Sequence, residues 1–314
     1  MSSPASPDRL DRVRTHLVSL GKSEGRLVAM SQSQPVSPDV KSMLNSSREL
    51  FHDTFNEYIK IWKSLASHPD NADLTDLMKK YISEVEAFLA EPIGSSSEEM
   101  NSEIGICRLY RDIIQEHRED LLAGQASHTD LLSEYDSLDE RLRQREEETN
   151  NRLAQWKEFL RCQDEFLRWL KSVEREKKLL DLPFLSLSRL VEIKRRVEVL
   201  IERCPEGERL LEVYRNSKIA LGFASPEIKS SINHELGLNT ARFANLQAAM
   251  KTWLDHINRV HGINQVFEDK YKLTGVLLGD IQEQFEERKI PVNFTEFTSY
   301  ITFLKVLIFS TTFT

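Results

Sequence analysis

Apolar side chains recur every three or four residues through most of this chain, and the clearest run is Asn151–Lys178, NNRLAQWKEFLRCQDEFLRWLKSVEREK. It holds no Gly and no Pro, so little in it resists a helix. Leu153, Trp156, Leu160, Leu167 and Leu170 make one line, with Gln163 in its single polar slot. Phe159, Phe166, Trp169 and Val173 make a second line beside the first. One line suits a two-stranded coiled coil. Two adjacent lines suit a helix packed against two others.

Further helices follow from the same spacing. They are expected over 8–30, 39–67, 74–91, 98–122, 188–203, 210–221, 227–260 and 266–289. Gly21 and Gly25 should weaken the first. The segments around His68-Pro69, Pro92-Gly94 and Cys204-Pro205 should break or kink the chain. Gly262 should be a soft point between the last two helices. No Gly or Pro occurs from Gln125 to Leu182. One helix of that length would span roughly 85 Å, whereas a compact globule of this chain length has a radius of gyration of only about 20 Å. The expectation is a rod with one turn within 124–145. The stretch from Val292, rich in Phe, Thr and Ile, reads as strand or unplaced apolar sequence.

Two aromatic phrases recur. Phe88-Leu89, Trp169-Leu170 and Trp253-Leu254 stand a little over eighty residues apart, and the Trp-Lys pairs at Trp62 and Trp156 have a similar spacing. A period of this size, filled by three helices, implies stacked three-helix bundles. The fold class expected is therefore all-α, a set of tandem bundles forming an elongated rod. Its divisions are a polar tail at 1–7, a partial repeat at 8–67, repeats at 68–150 and 151–240, a partial repeat at 241–290 and an apolar tail at 291–314. Core positions are Trp62, Phe88, Trp156, Leu160, Trp169, Leu170 and Trp253.

FLRWLKSVEREK, followed after a loop by LVEIKRRVEVLIER, resembles the first two helices of a spectrin repeat. HREDLLAGQASHTDLLSEYDSLDERL resembles a later part of the same unit. The Trp-Lys-Glu-Phe phrase and the Glu/Arg runs are most similar to the nesprins, the giant nuclear-envelope spectrin-repeat proteins, and to their insect muscle counterpart. The resemblance spans roughly 7–289. It implies a cytoplasmic, cytoskeletal rod connected with actin and associated with the nuclear envelope. The spacings are shorter than the family's usual unit of roughly a hundred residues. Neither the actin-binding calponin-homology pair nor the membrane-spanning end of that family is seen, so the chain reads as an internal rod piece or short form.

Composition agrees with long solvated helices. Charged residues are 29%, and Gly and Pro number only 11 and 10 in 314. A net charge of −8 argues against nucleic acid as a partner. Three isolated Cys, at 107, 162 and 204, form no disulfide framework and fit a reducing compartment. The N-terminus carries no secretory signal. Gly21-Lys22-Ser23 lacks the earlier Gly and the preceding strand of a phosphate loop. The His residues form no metal motif, and His117 and His128 read as solvated.

No catalytic, cofactor-binding or metal-binding residue is expected, and partners should be other proteins that meet helical surfaces. The charge run Arg141–Glu148 reads as an exposed face. Ser97, beside Glu98 and Glu99, and Ser37, before Pro38, are candidate phosphorylation sites. The run Tyr300–Phe309 is too short to cross a bilayer, but it leaves a second reading open, a helical adaptor tethered to a membrane. Trp169→Ala is expected to unfold the segment around it, seen as loss of a cooperative thermal transition by circular dichroism. Several kcal/mol of burial at about 25 cal/mol per Å² go with that ring.

Overall fold

The computed structural model describes residues 6–33, 38–67, 71–123, 129–180, 187–287 and 293–312, and among them every regular element is helical. The helices are α1 (Pro7–Ser33), α2 (Pro38–Ala66), α3 (Asn71–Ala90), α4 (Ser97–Ala123) and α5 (Thr129–Leu180). There follow α6 (Leu187–Glu202), α7 (Cys204–Ser217), a 3-10 turn (Lys218–Leu221), α8 (Pro226–Glu287) and α9 (Phe294–Thr312). The chain divides into two compact units. The first holds 1–169 and 207–240, the second 170–206 and 241–314.

The first unit is built around α4. Ile104, Ile106, Cys107, Leu109, Tyr110, Ile113 and Ile114 are all buried, and a stripe of Arg108, Asp112, Gln115 and Glu119 stays exposed. A helix with so wide an apolar face needs several neighbours. Four others supply them. Arg9–Glu57 at 2.6 Å and Arg48–Glu24 at 2.9 Å lay α2 antiparallel to α1. Arg14–Glu84 at 2.8 Å and Lys80–Asp11 hold α3 beside α1, running the same way. Arg108–Glu146 at 2.7 Å and Arg118–Asp136 at 3.2 Å run α5 back along α4. The chain thus reverses between α4 and α5, as the turn expected in 124–145 requires; residues 124–128 lie outside the described residues. The enclosed core joins Leu10, Leu17, Trp62, Tyr81, Ile113 and Leu142, with Phe88 packed at its side.

Backbone proximity lets α1 reach α4. A Cβ added at Gly25 would stand 2.3 Å from Ser102 Cα, and Ser102 Oγ donates to Lys22 O at 3.0 Å. Gly105 faces Gly21 O in the same crossing. The two glycines expected to weaken α1 are the surface on which α4 sits.

In the rest of this unit, α5 packs on α7 and the start of α8. Phe159 and Phe166 lie 5.4 and 6.3 Å from the Tyr214 ring. The Trp169 ring covers Gly207, where a Cβ would come within 2.2 Å of it. Leu153 joins Met100 and Ile104, and Trp156, half-buried, packs against them. Leu160 corrects the expected core, being 41% exposed. Phe159 and Leu160 are successive residues about 100° apart on the helix, and Phe159 takes the inward position.

In the second unit, Leu170 and Val173 of α5, Val197 and Leu200 of α6, and Met250 and Ile257 of α8 are buried. Trp253 is half-buried. Arg203 Nη1 meets the Glu176 carboxylate at 2.9 Å, and Arg242 Nε donates to Glu174 Oε1 at 2.6 Å. α8 runs through Gly262, Gly275 and Gly279 without a break. A Gly within a helix costs about 1 kcal/mol against Ala and does not end it.

The tail is a second correction, since 294–312 is helix and not strand. Asn293 caps it, its Oδ1 accepting from Glu296 N at 3.0 Å. Thr298 and Thr302 donate their hydroxyls to the carbonyls of Phe294 and Thr298, a bond that lets Thr sit inside a helix. No helix among the described residues is long and apolar enough to cross a membrane.

The two kinds of glycine separate in one experiment. Gly25→Ala should lower unfolding free energy by about 1–3 kcal/mol, because α4 backbone blocks the new methyl. Gly237→Ala, with nothing within 4 Å, should raise it by about 0.5–1 kcal/mol. Urea unfolding of both variants reads the contrast.

Candidate functional site

Two polar features of the first unit stand out, a buried cluster at the C-terminal half of α4 and a cleft at its N-terminal half. The cluster centres on His117, which is fully enclosed rather than solvated. Tyr58 Oη lies 2.9 Å from His117 Nε2, and Tyr135 Oη lies 3.0 Å from His117 Nδ1. A neutral imidazole has one donor and one acceptor, so one tyrosine gives a proton to the ring and the other receives one. Trp62 stacks on the imidazole with centroids 3.6 Å apart, and its Nε1 donates to Asp120 Oδ2 at 2.7 Å. Tyr81 meets the imidazole edge-on and donates its hydroxyl to Tyr110 O.

One turn further along sits Arg14, only 3% exposed. It pairs with Asp11 Oδ1 and Glu84 Oε2, each at 2.8 Å, and lies over the Tyr81 ring. Glu84 Oε1 also accepts from Tyr110 Oη. Burial is the main cause that pushes the His117 pKa well below its usual value, and the Arg14 charge adds to it. Burial likewise raises the Tyr58, Tyr81 and Tyr135 hydroxyls, so all stay protonated. Most polar groups of the cluster are turned to one another, while Arg14 Nε is buried with no hydrogen-bond partner among the described residues. This is the arrangement of a structural network, which orients core helices.

The cleft has a volume near 840 Å³. Ser102, Ile106 and Tyr110 of α4 floor it, Lys22 and Arg26 of α1 line one side, and Phe88 of α3 with Glu91 just after it the other. Its end is fixed by Arg145. That side chain lies over the Phe88 ring, pairs with Glu103, and donates Nη1 to Leu89 O at 3.0 Å and Glu91 O at 2.7 Å. It satisfies carbonyls that the C-terminus of α3 leaves without partners. Glu103 accepts from Gly94 N at 2.9 Å. The pair is almost wholly buried. Removing one partner of such a pair costs about 3–5 kcal/mol.

The loop that follows opens α4 with a reciprocal cap. Ser96 Oγ accepts from Glu99 N at 3.2 Å, while the Glu99 carboxylate accepts from Ser95 N at 2.8 Å and Ser96 N at 3.1 Å. The Ser95 amide is the first cause that lowers the Glu99 pKa. Ser97 stands one position inside the helix, beside Asn101. Ser37 lies outside the described residues, as does His128.

All three cysteines are free and buried. Burial above all, with Glu103 nearby, pushes the Cys107 thiol up to about 12. Burial and Glu158 raise Cys162. Neither is poised as a thiolate. No group of acidic, His or Cys side chains among the described residues is arranged to hold a metal.

Sequence reasoning read Trp62 and Phe88 as core positions but missed His117, Arg14 and Arg145. Arg145 was hidden inside a charge run that is otherwise a solvated face. A usable signal was present for His117. It stands at 3–4 spacing after Tyr110, Ile113 and Ile114, on the apolar side of α4.

No protein-family model matches the chain, and no solved structure matches it. The Drosophila melanogaster "Muscle-specific protein 300 kDa" is 23% identical over 284 residues, which is 84% of this chain and 2% of the relative. The chain therefore spans about a fiftieth of that protein's length and is its distant relative.

The buried imidazole gives a pH test. Its folded pKa is depressed, so the unfolded chain takes up a proton first, near the ordinary value of about 6.5. Stability should be full above that pH and fall as pH drops below it, by up to about 1.4 kcal/mol per pH unit. Thermal melts from pH 8 to about pH 5 should show this slope, and His117→Gln should flatten it.

Proposed function

We propose that the chain is a non-enzymatic scaffold segment of a cytoskeletal protein. In this reading it is a rod of spectrin-like helical triplets of the nesprin kind. The observation that carries the proposal is the alignment of 84% of the chain with a muscle-specific protein. The quoted phrases around Trp156 and Trp169 support the spectrin-like form. So does the sequence order of α3, α4 and α5, then α5, α6–α7 and α8, which supplies two successive triplets sharing one helix. α1 and α2 add to the first triplet by covering the outer side of α4. The repeat divisions at 68–150 and 151–240, with partial repeats beside them, belong to this proposal.

The interior also favours such a role. Core aromatic and polar groups are spent on one another, so what remains for partners is outer surface. The cleft above Ser102, Ile106 and Tyr110, with Lys22 and Arg26 on one wall, is the seat we assign to a partner helix. Attachment to actin or the nuclear envelope would come through other proteins and through the rest of a larger assembly. Ser97 remains the proposed modification site. A phosphate there would sit in the first turn of α4, where the helix dipole favours negative charge.

Small-angle X-ray scattering of the whole chain tests the rod. A maximum dimension well above about 100 Å is expected from helices rising 1.5 Å per residue and joined end to end. A compact profile with a maximum dimension near about 60 Å would overturn it.

A further inference from the structure

The second half of α8 carries an apolar face that no described residue covers. Phe267 is 67% exposed and Tyr271 73%, and Ile263, Val266, Leu277 and Leu278 are also open. At 100° per residue these six fall within less than half the helix circumference, an amphipathic stripe and not a scatter. It runs for about 22 Å along the helix axis. α9, the next element, leaves it open, and its own Phe294, Phe297 and Ile301 are exposed too. An apolar stripe of this extent in water marks a contact surface.

The charges beside the stripe indicate the occupant. Arg259 precedes it and Asp280 follows it, both exposed. Arg259 and Asp280 flank the same edge of the helix, the edge that also carries Val266 and Leu273. We propose that a second copy of this chain covers the stripe, with the two α8 helices running antiparallel. In that arrangement Arg259 of each copy faces Asp280 of the other. A parallel pairing would set Arg259 against Arg259 and Asp280 against Asp280, which is repulsive. Lys270, the single charge within the stripe, would meet the exposed Phe267 and Tyr271 rings of the opposite copy and stack on them. Two such stripes bury on the order of 1,000 Å², at the lower limit for a specific interface.

Sedimentation equilibrium of the full chain, at tens of micromolar, tests the proposal. The expected mass is twice 36.4 kDa. Phe267→Glu should weaken the dimer by at least about tenfold with an unchanged far-ultraviolet spectrum, because the site is exposed and carries no fold. Arg259→Glu should also weaken it, and adding Asp280→Lys to that variant should restore it. A monomeric wild-type chain overturns the proposal, as does a dimer that survives Phe267→Glu. An Arg259→Glu variant that dimerises like wild type overturns the antiparallel orientation.

Discussion

The close approach of α1 to α4 governs the first unit. Only a glycine at position 25 leaves room for Ser102 backbone, and only that proximity closes the side of α4 left by α2, α3 and α5. Where α4 is enclosed, its polar groups lose water and need protein partners. His117 finds two tyrosines, Glu103 finds Arg145 and Gly94, and Ser102 finds the Lys22 carbonyl. These are consequences of a single enclosed helix, not separate devices. They also fix register, since a one-residue slip of α4 would part each of these polar groups from its partner.

The two units solve the same problem with different means. In the first, five helices share one broad core and a polar network lies inside it. In the second, α5, α6 and α8 meet through smaller aliphatic residues, and ion pairs from Arg203 and Arg242 lie at the surface. Exposed pairs of that kind contribute about 0–1 kcal/mol each. The stability of the second unit therefore rests on its apolar contacts, and its long uncovered stripe on α8 is surface that those contacts do not use.

The helices were legible because 3.6-residue periodicity is a local property. Most of their ends fell within a few residues of those expected, and the break at Cys204-Pro205 followed from proline chemistry, but Gly262 does not divide α8 as expected. Three things were not local. Gly21 and Gly25 read as weak points because helix propensity takes no account of a neighbouring backbone 80 positions away. Leu160 read as core because both lines on α5 are apolar, and which one faces inward depends on where α7 and α8 lie. Arg145 read as solvated because its partners, Glu103 and the end of α3, are distant in sequence. The tail misled through composition, since Thr and Phe favour strands on average, while the Asn293 cap and two hydroxyl-to-carbonyl bonds decide for helix here.

Arg145 ties together three elements that sequence keeps apart, and this sets how the bundle would answer a pull. A tug along α5 reaches α3 through two carbonyl bonds and α4 through Glu103, and all of them resist together because they share one guanidinium. Such a joint yields in shear, with several bonds giving way at once, rather than by peeling one after another.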